Sequence, residues 1–525
     1  MPEPERVSWQ QRRDEIARMR QAGQAQGGEE AVARQHEKGR LTIRERVDAL
    51  LDPGSFREIG SLAGGAERDE DGTLTSFTPA NFVLGTGRID GRACVVGGED
   101  FTISGGSPSP AGLRKSVYTE QLACQYRVPL IRLHEGSGGS VTGGGGKSGP
   151  RALSAPVFET PRFASVGRAL ATVPVASAAL GAVAGLPAVR LVSSHYCVMT
   201  RHTAQVLAGG PALVERALGQ SVTKDELGGA ALHEKSGVVD DVVEDEPAAF
   251  AVIRRFLGYL PQNVWELPPV APPSDDPGRR EELLAEIVPV NRRRIYDMRR
   301  ILDAVLDQGT VFEMGRRFAP GIITVLARLN GVPVGAFAND CRHGAGTMTA
   351  GGARKVRRFV EFCETFHLPV ITFVDEPGFM IGPAAEAEGT LRAGAGAVLA
   401  ASLCTVPWAT VIVRKSMGLA AAAHFGPGAY VLAWPSAEMG ALPVEGGVAV
   451  AFRREIAAAD DPAAKREELE ARFAARQTPF ARAESLSVHD IIDPRDTRPM
   501  LCGWLDLARP LLDGLLGPTN FSYRP

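Results

Sequence analysis

The chain has 525 residues, 44% apolar and 23% charged, with a formal net charge of −3. That length implies several domains, the apolar content excludes a mainly disordered chain, and the charge argues against a nucleic-acid binder that relies on phosphate neutralisation. Fifty-nine glycines against 6% aromatics point to tight turns and close backbone approach. The N-terminal MPEPERVSWQQRRDEIARMRQ is charged throughout and has none of the apolar run of a secretory leader. Cys94, Cys124, Cys197, Cys341, Cys363, Cys404 and Cys502 form no CxxC and no dense disulfide framework, so a reducing cytoplasm is expected.

In chain order, a short amphipathic helix is predicted to end at LLDPGS (50–55). Strands FVLGTGRI and ACVVGGE follow, then a helix over LRKSVYTEQLACQYR and a buried strand PLIRLHE. Ala169 to Val189 runs 21 residues without a charge, long enough to span a bilayer. Pro174 in its middle breaks any such helix, so a buried helix, a turn and a buried strand ending at Gly185 are expected instead. The second half repeats the pattern: a helix ending at VLDQGT, strands TVLARL and VPVGAFAN, a helix ARKVRRFVEFCETF and a strand PVITFVDE. The uncharged Ala393 to Val413, broken at Pro407, leads to Gly418.

The repetition is a duplication. Asp52, Gly54 and Gly60 match Asp307, Gly309 and Gly315 at an offset of 255 residues. Asp100, Arg114-Lys115 and Pro129 match Asp340, Arg354-Lys355 and Pro369 at 240, and Thr172-Val173-Pro174 matches Thr405-Val406-Pro407 at 233. Alternation of strands and helices makes each half an α/β domain with parallel strands. Residues 1–262 and 278–525 are the expected domains, joined by a proline-rich linker over 263–277.

Four glycine turns follow buried strands, at Gly136, Gly185, Gly378 and Gly418. A turn from strand into helix exposes backbone N–H groups, and two of them aimed at one point stabilise an oxyanion or enolate. Equally, glycine is the ordinary residue of such turns. The equivalence of Gly185 and Gly418 under the duplication favours a pair of anion holes. Lys147-Ser148 imitates a phosphate-binding loop, but Val141 stands where GxxxxGK[ST] requires glycine, so the segment reads as a glycine-rich lid. His233 reads as structural. Arg292, Arg293 and Arg294 read as a solvated face or an anion site. No metal-binding spacing occurs among the nine histidines.

Taken together, the motifs resemble the carboxyltransferase (β) subunit of biotin-dependent acyl-CoA carboxylases of the propionyl-CoA and methylcrotonyl-CoA carboxylase type. The residues that carry the resemblance are His36-Glu37-Lys38-Gly39-Arg40-Leu41-Thr42, Arg44-Glu45-Arg46, Ser137-Gly138-Gly139, Glu226-Leu227-Gly228-Gly229-Ala230, Phe373-Val374-Asp375-Glu376-Pro377-Gly378-Phe379, Arg414-Lys415 and Ala433-Trp434-Pro435-Ser436-Ala437-Glu438. The resemblance implies two tandem crotonase-like spiral domains, the first on the acyl-CoA side and the second on the biotin side. It further implies a homohexamer with active sites between subunits. Biotin would be supplied by a biotin carboxylase/biotin carboxyl carrier (α) subunit, and a coenzyme A thioester would be the substrate. The thioester oxygen would be held by the amides of Gly185 and Leu186, and the biotin ureido oxygen by those of Leu419 and Ala420. Ser137, Gly138, Gly139 and Ser140 would line the CoA side, with Gly418 and Ala422 also at the substrate. Carboxybiotin would release CO2, the biotin nitrogen would take the α-proton, and the enolate would capture the CO2 at the α carbon or a vinylogous γ carbon. A short-chain substrate such as propionyl-CoA is the first expectation.

This sequence departs from the family in having Gly-Leu rather than paired glycines in both turns, Pro187 without an N–H, and Leu442-Pro443 in place of Met-Gly. Two alternatives stay open: a biotin-dependent decarboxylase or transcarboxylase subunit, and a catalytically silent assembly paralogue. Neither nucleic acid nor membrane is expected as a partner.

Overall fold

The computed structural model describes residues 8–138, 162–292, 294–474, 478–519 and 523–525. The chain divides into two compact units that meet in sequence between Gly258 and Tyr259. The first is built on strands β1 (Arg57–Glu58), β4 (Phe82–Ile89), β5 (Arg92–Glu99), β6 (Leu130–Gly136), β7 (Val175–Ala184), β8 (Tyr196–Thr200) and β10 (Asp241–Val243) in that spatial order. Strand β9 (Gln205–Leu207) also pairs with β7, and β2 (Gly64–Arg68) and β3 (Leu74–Pro79) form a separate hairpin. The second unit repeats this with β11 (Phe312–Met314), β12 (Ile322–Leu329), β13 (Val332–Asn339), β14 (Val370–Glu376), β15 (Trp408–Met417), β16 (Tyr430–Ala433) and β18 (Asp490–Ile491), and with β17 (Glu438–Gly440) beside β15.

The repeat extends to single residues. In the first unit Val95 pairs with Leu130, and Leu130 with Val175. In the second, Gly335 pairs with Val370, and Val370 with Trp408. Register shifts fall at matching places, His134/Gly136 and Val374/Glu376. Asp52 accepts the N–H groups of Asp90 and Gly91 at 3.0 and 2.8 Å, and Asp307 those of Asn330 and Gly331 at 2.9 and 2.8 Å. Each carboxylate thereby closes the β4–β5 or β12–β13 turn, which explains why the aspartate appears in both copies. Arg114 and Arg354 lie on equivalent helices, Pro110–Tyr126 and Ala350–Thr365, which are capped by the side chains of Ser109 and Thr349.

Both long uncharged stretches break at their prolines. Helix Arg162–Leu170 gives way to β7, and helix Thr390–Leu403 to β15. Pro174 and Pro407 keep their carbonyls as acceptors for Leu130 and Val370 at 2.8 and 2.9 Å. Strand β7 (VASAALGAVA) is buried over most of its length, as a parallel strand covered on both faces requires. Among the described residues no helix is long and apolar enough to cross a membrane, and all seven cysteines are free thiols.

The expected linker is a correction. Residues 263–277 belong to the second unit and are packed onto it. The Ala271 N–H donates to Gly331 O at 3.0 Å, Arg328 donates to Pro269 O at 2.9 Å, and His367 Nε2 lies 2.8 Å from Val264 O. Proline removes donors but leaves carbonyls, so a proline-rich strap can be held through its acceptors as well as left in water.

Lys115 gives a pH-dependent contribution to stability. It is buried, and its Nζ donates to Gly60 O at 3.2 Å. Burial pulls the ammonium down to about 8, although Glu58 at 3.9 Å pushes the other way. The unfolded value is 10.5, so between pH 8 and 10.5 the unfolded chain keeps a proton that the folded chain has released. Wild-type stability should therefore rise with pH across that window relative to Lys115→Met, by about 3 kcal/mol at most. Urea midpoints of the two proteins at both ends of the window test this, and a falling difference would contradict it.

Candidate active site

In the first unit β7 ends at Ala184, and Gly185, with φ +64°, turns the chain into helix Leu186–Val192. A side chain on Gly185 would come within 2.5 Å of Gly138 Cα, and one on Gly138 within 2.8 Å of Gly185 Cα. The two backbones touch only because both residues are glycine. The structure thus brings Gly138 against Gly185, while the Ser137 N–H donates to Gly105 O at 3.3 Å. Gly139, Ser140 and the glycine-rich stretch 141–160 lie outside the described residues.

The Gly185 N–H, expected to be a free donor, is instead bonded to Leu207 O at 3.3 Å, because β9 extends its ladder past β7 into the turn. Pro187 has no N–H. The N–H groups of Leu186 and Ala188 donate to no acceptor among the described residues. Leu186 and Pro187 line a small cleft of about 20 Å³, space for about one water, together with Phe82, Glu99, Ser116 and Arg190.

Below this turn lies a buried ionic cluster. His134 Nδ1 sits 3.1 Å from Glu99, and Arg132 donates to Glu120 at 3.0 Å. Burial alone would push the Glu99 carboxyl up, but the charge and hydrogen bond of His134, with Arg190, hold it below its ordinary value. Alongside it, Glu135 takes Arg46 at 2.7 Å and Arg40 at 2.5 Å, and Arg46 forks onto Glu246 at 2.9 and 2.8 Å. Sequence reasoning named none of these as site residues. The signal was present in PLIRLHE, where Arg132, His134 and Glu135 interrupt a strand that must be buried.

In the second unit Gly418, with φ +62°, makes the equivalent turn, and its N–H donates to Gly440 O at 2.9 Å. Leu419 and Ala420 follow, and their N–H groups donate to no acceptor among the described residues. The Leu419 side chain is 64% exposed and does not fill the turn, Ala420 is buried, and Ala422 is half-buried. The short helix Ala420–His424 is anchored at its end. His424 O accepts from Trp408 Nε1, Thr372 Oγ1 and Thr410 Oγ1 at 3.0, 2.8 and 2.9 Å. Its ring lies 3.4 Å from Glu376, which also accepts from Asn339 Nδ2 at 3.0 Å and from the Gly378 N–H at 2.9 Å.

Gly378 therefore does not open a helix onto a free N–H, and only Gly185 and Gly418 make strand-to-helix turns among the described glycine sites. His233 is structural, with Nε2 2.7 Å from Val206 O. Arg292 is neither solvated nor free: it forks onto Glu438 at 2.6 and 2.5 Å and so steadies β17 beside the Gly418 turn. Arg293 lies outside the described residues, and Arg294 accepts through its carbonyl from Arg414 at 2.8 Å.

The chain is thus two duplicated crotonase-like units, in each of which a long buried strand ends in a glycine turn followed by N–H groups that are unengaged among the described residues. The family described as carboxyl transferase domain matches residues 34–509, and the chain belongs to it. It is 36% identical over 511 residues to the propionyl-CoA carboxylase carboxyltransferase subunit of Haloferax mediterranei, covering 96% of this chain and 97% of that one. It is 35% identical over 505 residues to the methylmalonyl-CoA carboxyltransferase 12S subunit of Propionibacterium freudenreichii subsp. shermanii, covering 94% and 93%. A hexameric transcarboxylase 12S structure with methylmalonyl-coenzyme A bound superposes with a TM-score of 0.85 at 31% identity, covering 100% of this chain and 98% of that one.

Proposed function

We propose that this chain is the carboxyltransferase subunit of an acyl-CoA carboxylase, acting on a short-chain thioester such as propionyl-CoA and assembling as a homohexamer. The observation that carries the reading is the pair of equivalent turns at Gly185 and Gly418, set in a chain whose family and relatives transfer carboxyl groups. In the first unit the Leu186 N–H would hold the thioester oxygen, with the Ala188 N–H as the second unengaged donor in place of Gly185. In the second unit the N–H groups of Leu419 and Ala420 would hold the ureido oxygen of biotin. Biotin, when bound, supplies the carboxyl group and a nitrogen that accepts the α-proton. The chain's own contribution is to place backbone donors where negative charge develops, which needs no ionisable side chain. The Gly138–Gly185 contact leaves the backbone bare on the thioester side, and the exposed Leu419 keeps its turn open.

The sequence contains no Met-Lys-Met biotin-attachment site, so the biotin would arrive on a biotin carboxylase/carrier partner. The purified chain should be blank on a streptavidin blot. Mixed with that partner, ATP and bicarbonate, it should carboxylate at least one of acetyl-, propionyl-, butyryl- or methylcrotonyl-CoA. Covalent biotin on the chain, or inactivity of the assembled complex on every thioester, would overturn the proposal. The transcarboxylase relative keeps a second direction in view: transfer between two thioesters without ATP would identify it.

A further inference from the structure

The duplication supplies an internal control for the buried cluster of the first unit. Glu99, Glu120, Arg132, His134 and Arg190 stand at positions held in the second unit by Asn339, Val360, Thr372, Val374 and Ala423, as the shared strand registers, helix caps and glycine turns place them. The same fold is thus built once with five ionisable side chains and once with none at these places. The second unit keeps buried pairs of its own elsewhere, Asp375 with Arg414 and Glu376 with His424, so these five ions are not a requirement of the shared strand and helix positions and mark a difference between the two units.

Arg190 indicates what that is. It is only 3% exposed, and its Nε and Nη2 have no hydrogen-bond partner among the described residues. Its nearest carboxylate, Glu120 at 3.5 Å, is already bonded to Arg132. A buried guanidinium with idle donors is costly to leave so, and Arg190 lines the cleft that Leu186 and Pro187 also line. Glu99 lines it too, held on its other side by His134. The cleft therefore presents a donor and an acceptor within an otherwise mainly apolar wall that includes Phe82 and Leu113.

We propose that this water-sized cleft takes the hydroxyl of a hydroxyl-bearing acyl chain: the hydroxyl oxygen accepts from Arg190 and the hydroxyl proton is donated to Glu99. A second carboxylate on the acyl chain would satisfy Arg190 but would face Glu99. A plain alkyl chain would leave the Arg190 donors unpaired. A hydroxyl, at once donor and acceptor, satisfies both. This inference rests on the carboxyltransferase reading, since it needs the thioester at the Leu186 turn.

The test is calorimetric titration of the assembled chain with propionyl-CoA and with 3-hydroxypropionyl-CoA. The hydroxylated thioester is expected to bind roughly tenfold more tightly, the size of one hydrogen bond to a charged group. In Arg190→Met the ratio of the two affinities should fall towards one. Equal binding of both thioesters by the wild-type chain overturns the subsite and leaves the carboxyltransferase reading standing. So does a preference that survives in folded Arg190→Met. The wild-type comparison decides the matter even where the variant does not fold. Binding of neither thioester overturns the subsite and the parent reading together.

Discussion

Ala420→Pro is expected to slow carboxyl transfer by about 100- to 1000-fold, the usual consequence of losing one oxyanion-hole donor. The duplication makes this a clean substitution. Position 420 corresponds to Pro187 in the first unit, so a turn of this shape already holds a proline at that place. What changes is the N–H, which donates to no acceptor among the described residues and is available to a ligand. Leu419→Gly is the companion variant. It removes a side chain that is 64% exposed and keeps the amide, so activity should survive it. Steady-state rates of the assembled complex separate the two. A folded, assembled Ala420→Pro that turns over at the wild-type rate would place the hole elsewhere.

Arg46→Met should produce the largest loss of stability, roughly 3–5 kcal/mol, because it leaves the buried Glu246 without its cation and Glu135 with Arg40 alone. Arg46 is 1% exposed, forks onto Glu246 and reaches Glu135 at 2.7 Å, and so ties the helix Ile43–Leu50 to β6 and to the helix Glu246–Leu257. Arg34→Ala is the contrast. Its pair with Glu30 is solvent-exposed on both sides, and the loss should stay within about 0.5 kcal/mol. Urea midpoints measure both; an Arg46→Met midpoint equal to that of the wild type would show that the buried network is not what holds these elements together.

The duplication was legible because it is written in residues with local jobs. Asp52 and Asp307 close a turn, Ser109 and Thr349 cap a helix, and Pro174 and Pro407 stop one. Such residues act on neighbours or on the adjacent hairpin, so spacing alone reveals them. The Gly185 and Gly418 turns were visible for the same reason.

What stayed hidden depends on partners far away in sequence. Whether the Gly185 N–H is free is decided by Leu207, at the end of a three-residue strand too short to carry a period. The fate of Arg292 is decided by Glu438, 146 residues on. The 263–277 segment has the composition of a linker, and composition fixes which hydrogen-bonding groups a segment has, not whether water or protein meets them. Arg132, His134 and Glu135 were visible as misfits in a buried strand, but the roles of Glu99, Glu120 and Arg190 appear only once the sheet is assembled.

The most direct measurement is the half-reaction without ATP: the purified chain, free biotin and methylmalonyl-CoA labelled in its free carboxyl group. Biotin-dependent appearance of propionyl-CoA, with loss of the label and suppression by Ala420→Pro, is the predicted result. A folded, assembled chain that binds the thioester yet transfers no carboxyl group to or through biotin would contradict it.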